Sequence, residues 1–81
     1  MIEFKREAIS RVIRRIRKER KLSQEVVSGF AGIARSYLAM IETGTKQPNF
    51  ETIWNLANAF EMEPHELVQL IEDDAKALHK D

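Results

Sequence analysis

The chain has 81 residues, 43% hydrophobic and 32% charged, with three Gly, two Pro and no Cys. That is room for one small domain of helix-prone globular composition, and it excludes disulfides, cysteine-ligated zinc and thiol catalysis. The zero net charge hides a dipole: residues 1–46 hold eleven Lys and Arg against five acids, and residues 47–81 hold two against eight.

A basic half of this kind is a candidate nucleic-acid surface. Its first segment, MIEFKREAISRVIRR, lacks the continuous apolar stretch of a secretory signal. No apolar run in the chain approaches the roughly 20 residues that span a bilayer. Phe4, Ala8, Ile9, Val12, Ile13 and Ile16 form one stripe of a long amphipathic helix. Its opposite face carries most of the basic residues, as a solvated face or as phosphate contacts.

Leu22 leads into Ser23, a good N-cap, with Gln24 and Glu25 in the first turn of a short helix that runs to about Ala31. Gly29 inside it should cost about 1 kcal/mol relative to Ala, and close packing is the one reason to expect it there. Gly32 supplies the turn, and the next helix runs from about Arg35 to Thr43 with Gly44 as its stop. TGTKQPN reads as a loop. Asn49 caps a fourth helix through Phe60, with Ile53, Leu56, Ala57 and Phe60 inward. Pro64 opens a fifth helix that offers Leu67, Leu70, Ile71 and Leu78. No strand or repeat is legible, so the chain reads as all-α, a single domain over 1–81.

Catalysis finds little support. His65 and His79 lack the spacing of a helical metal pair, no serine has a histidine nearby in sequence, and there is no glycine-rich phosphate loop. The run Glu72, Asp73, Asp74 reads as a solvated helix face. Neither enzymatic activity nor a cofactor is expected.

The informative constellation is the pair of short helices joined by Gly32. Counting Gln24 as the first of twenty positions, Val27 is fourth, Ser28 fifth, Ala31 eighth, Gly32 ninth, Ile33 tenth, Leu38 fifteenth and Ile41 eighteenth. Small residues at the crossing and branched ones beneath let two helices cross tightly. LSQEVVSGFAGIARSYLAMIETG resembles the helix-turn-helix of Cro-like phage repressors and their bacterial XRE-type relatives. Over roughly residues 9–70 the layout is similar to that family. Among its small members the chain looks most like restriction–modification controller proteins. The resemblance implies a five-helix, lambda-repressor-like DNA-binding domain, with its helix-turn-helix at about 23–43 and dimerisation through about 50–78.

The same resemblance makes 35–43 the recognition helix, entering the major groove of a double-stranded operator. Arg35 would read a guanine through O6 and N7, Ser36 a base edge, and Ala39 a thymine methyl. Gln24, Tyr37, Thr43, Lys46 and Gln47 would hold the DNA backbone. Ala34 stands where relatives place a capping residue, leaving the first N–H groups of that helix for a phosphate. Glu42 opposes the helix dipole but would pair with Arg17 as a structural ion pair. Operator selection implies a homodimer, and Trp54, Leu67, Val68 and Leu70 are the expected interface. No small-molecule ligand is expected. The place of work would be the cytoplasm of a bacterial or phage-infected cell, at the nucleoid. A transcription regulator is the first expectation, and a protein-interaction module such as an antitoxin is the alternative.

Overall fold

Residues 1–79 are described by the structure, a computed structural model, and all regular structure among them is helical. Five helices follow in order: α1 (Arg6–Glu19), α2 (Gln24–Ala31), α3 (Arg35–Thr43), α4 (Phe50–Ala59) and α5 (Pro64–His79). Each begins close to where its sequence signal lies. Ser23 Oγ accepts the Val26 N–H at 3.1 Å, and Asn49 Oδ1 accepts the Thr52 N–H at 2.8 Å. Glu66 Oε1 reaches back to the Glu63 N–H at 2.8 Å ahead of α5, half of a capping box.

The turns behind two helices use glycine as its chemistry suggests. Gly32 and Gly44 have φ of 71° and 82°, and the following N–H groups return to Ser28 and Met40. Two other helix ends have no glycine. Lys21 and Glu61, just past α1 and α4, both sit at φ 57°, where an L-residue is strained by about 1–2 kcal/mol. Each is held by the next residue, whose N–H reaches five residues back: Leu22 to Arg17 at 3.1 Å, Met62 to Ala57 at 2.9 Å. The burial of Leu22 and Met62 against the core offsets that strain.

The α1 stripe is buried from Ala8 through Ile16, joined by Val27 and Ala31 of α2, Leu38 and Ile41 of α3, Ile53, Leu56 and Ala57 of α4, Phe60, and Leu67 of α5. Phe4 departs from the expectation. It precedes the helix and is 67% exposed, because α1 starts only at Arg6. Asp74 departs too. It is buried, seven residues after Leu67 and therefore on the same inner stripe, and it pairs with Arg11 at 3.2 Å and Arg15 at 3.5 Å. These ion pairs tie α5 to α1.

Gly29 is not there for close packing: a Cβ built on it meets nothing within 4 Å. Gly29→Ala should therefore stabilise the fold by up to about 1 kcal/mol, while Gly32→Ala, at positive φ, should destabilise it by about as much. Urea unfolding of the two variants should move the midpoint in opposite directions.

Candidate nucleic-acid interface

At 3.6 residues per turn, Arg35, Ser36, Ala39 and Thr43 occupy one arc of α3, while Leu38 and Ile41 occupy the opposite one. The burial pattern follows that division. Leu38 and Ile41 are in the core; Arg35, Ser36 and Thr43 are exposed and Ala39 is half-exposed. Tyr37 falls between the two arcs, half-buried with its side chain packed on the core. Ser28 is buried at the α2–α3 crossing, and its hydroxyl is satisfied by the Glu25 carbonyl at 3.1 Å.

The start of α3 is uncapped. Ala34 supplies no side-chain acceptor, and the Arg35 and Ser36 N–H groups find none within the described chain. Arg35 likewise forms no ion pair among the described residues. This end of the helix therefore presents a guanidinium, a hydroxyl and two unpaired N–H donors on the surface, a combination suited to an anionic, acceptor-rich partner.

Beneath the other end of α3 lies the ion pair expected from the sequence. Arg17 donates from Nε to Glu42 Oε2 at 2.6 Å and from Nη2 to Oε1 at 2.9 Å, a two-point pairing. A third donor, Nη1, reaches the Leu22 carbonyl at 2.9 Å, and the Gln24 amide adds a bond to Glu42 Oε1 at 3.2 Å. The side chains are only 13% and 3% exposed. The hydrogen bonds to Glu42 raise the Arg17 pKa above its ordinary value; burial opposes this and the Glu42 charge adds to it. Arg17 is thus charged throughout the accessible pH range.

The remaining predicted side chains divide. Lys46 is exposed in the loop after α3, as a backbone anchor requires. Gln47 is half-buried and turns its amide oxygen inward, where that atom has no hydrogen-bond partner among the described residues. Gln24 is half-buried, with part of its amide engaged by Glu42. Thr43 Oγ1 bonds the Met40 carbonyl at 3.2 Å and lies 2.9 Å from Thr45 Oγ1.

Of the four interface candidates, Leu67 is corrected. It is fully buried in the chain's own core and has no surface to offer a partner. Leu70 is half-buried against that core, while Trp54 and Val68 are 49% and 39% exposed. Phe50, unmarked in the sequence reading, is 68% exposed and meets Trp54 edge to face, with ring centres 6.3 Å apart. Their i, i+4 spacing on α4 was the available signal.

A glycine-turned pair of short helices, exposing one polar arc of the second above a neutralised ion pair, defines a helix-turn-helix protein. The sequence profile of the HTH_3 helix-turn-helix family matches residues 13–67, and the chain belongs to that family. An uncharacterized HTH-type transcriptional regulator of Sinorhizobium fredii, y4dJ, is 37% identical over 54 residues, 67% of this chain and 70% of the relative. Two other curated regulators are longer, and the chain spans 31% and 46% of their lengths. The restriction–modification controller protein C.AhdI from Aeromonas hydrophila shares the fold with a TM-score of 0.72 at 32% identity, covering 76% of this chain and 94% of its own. The controller protein C.Esp1396I, solved as a tetramer with its natural 35 base-pair operator, gives a TM-score of 0.81 over 90% of this chain and 96% of its own. At 19% identity that second likeness speaks for the fold alone.

Removing Arg17 leaves a largely buried carboxylate without its counter-charge. Arg17→Met should destabilise the domain by about 3 kcal/mol, and adding Glu42→Leu should recover most of that loss. Denaturant melts of the single and double variants measure both. Unchanged stability in Arg17→Met would mean that the pair has no structural role.

Proposed function

We propose that this chain is a sequence-specific transcription regulator that binds a pseudo-palindromic DNA operator as a homodimer. The observation that carries this reading is the outward arc of α3, with Arg35, Ser36 and Ala39 exposed or half-exposed at its start and the Arg35 and Ser36 N–H groups unpaired. The family membership and the 32% identity to a restriction–modification controller support it. An α-helix fits the major groove, where the Arg35 guanidinium can take guanine O6 and N7 together and the Ala39 methyl can meet a thymine methyl. Tyr37, Lys46 and Gln24 then hold the flanking backbone.

The chain works by binding, without catalysis or cofactor, and its site of action is the nucleoid. Among the described residues no helix is long and apolar enough to cross a membrane. Doubling of the half-site comes from a twofold contact built on Trp54 and Val68, with Phe50 beside Trp54. Exposed aromatic and branched residues of this kind are typical anchors of protein interfaces.

Selection of bound duplexes from random DNA should return an inverted repeat with wild-type protein. With Arg35→Ala the repeat should lose one guanine per half-site and about 1–3 kcal/mol of discrimination there. An unchanged motif would remove Arg35 as the base reader. In sedimentation, Trp54→Ala with Val68→Ser should shift a wild-type dimer toward monomer at equal concentration. Dimers that persist undiminished would place the interface elsewhere.

A further inference from the structure

The basic residues over positions 11–20 fall into two sets. Arg11 and Arg15 pair with Asp74, Arg17 pairs with Glu42, and Arg20 donates to the Phe60 carbonyl. Arg14 and Lys18 have no ion pair or hydrogen bond among the described residues. They are one helical turn apart, so they share a face, where two like charges repel in the absence of a counter-charge.

Both line an open cleft of about 520 Å³, completed by Arg17, Gln24, Glu42 and Thr43. Arg17 neutralises Glu42, so the cleft keeps the two positive charges of Arg14 and Lys18. Gln24, at the first position of α2, adds backbone and amide donors at a helix N-terminus. Thr43 links the cleft to the outward arc of α3. It lies eight residues from Arg35, about 12 Å along the helix at 1.5 Å per residue. The major groove is also about 12 Å wide. With Arg35 at the base edges, the Thr43 end of the helix reaches the groove wall, where the phosphates are.

We propose that this cleft is a DNA-phosphate site, in which Arg14 and Lys18 clamp the strand flanking the groove. The proposal rests on the DNA-binding reading and deepens it, because it assigns to α1 a backbone contact separate from base readout by α3. Contacts of this kind set affinity and register without reading sequence. They release counterions, at about 0.9 unit of salt slope per phosphate neutralised.

The test measures binding to a duplex selected by the wild-type protein at several KCl concentrations. It compares wild type with Arg14→Gln, Lys18→Gln and the double variant, and with Arg6→Gln as a control on the same helix but outside the cleft. Each cleft substitution should flatten the slope of log K against log salt by about one unit, and the pair by about two. The selected motif and the melting temperature should stay as in wild type, and Arg6→Gln should change the slope much less. Cleft variants no different from Arg6→Gln would overturn the proposal and leave the DNA-binding reading intact, as would an altered motif. Wild-type protein without salt-dependent DNA binding would instead overturn the reading itself.

Discussion

The Arg17–Glu42 pair is the constraint on which the helix-turn-helix geometry depends. One guanidinium satisfies both oxygens of a carboxylate on α3 and the Leu22 carbonyl that leads into α2, so a single side chain of α1 holds both short helices. Gln24 closes the network from the α2 side. Neither charge is stable in its largely buried position without the other, since an unpaired ion out of water costs several kcal/mol. This also accounts for the acid near the α3 C-terminus, where the helix dipole disfavours it. The angle at which α3 is presented is thus set from beneath, which leaves its outer arc free of structural duties.

That freedom divides the basic residues by task. Several arginines in and just after α1 are consumed within the fold: Arg11 and Arg15 anchor α5 through buried Asp74, and Arg20 meets the carbonyl of Phe60. The charge asymmetry along the chain is therefore partly a device for packing a basic first helix against an acidic last one. Arg14, Lys18 and Arg35 are among the bases that have no ion pair among the described residues, and they border the cleft and the outer arc of α3. Counting bases would overestimate the charges free for a partner, because in a domain this small one helix must supply the core ties as well as the exposed charges.

The proposed dimer would suit a core this small. Burying Phe50, Trp54 and Val68 against a second copy would add apolar area, and one half-site of a few base pairs would need a partner to select an operator. On that reading stability, assembly and recognition would be linked, with protein concentration setting dimer population and dimer population setting occupancy.

Local chemistry made much of this legible before the structure. Ser23, Asn49 and Pro64 marked three helix starts, Gly32 and Gly44 two ends, and the 3.6-residue stripes most of the core, because caps, turns and periodicity act over a few residues. Arg35, Ser36 and the missing cap at Ala34 were readable in the same way. Whatever depended on distant neighbours was not. Asp74 looked like solvated charge until α1 brought Arg11 and Arg15 to it, and Leu67 looked available until the core closed over it. Gly29 looked like a packing residue until its surroundings proved open. The left-handed turns at Lys21 and Glu61 carry no glycine to announce them, since burial of Leu22 and Met62 stabilises them. Short-range chemistry was enough for the helices and the polar start of α3. Which charges are spent inside the fold and which remain for a partner came from the packing of distant helices, because a side chain's partner is a property of packing, not of position along the chain.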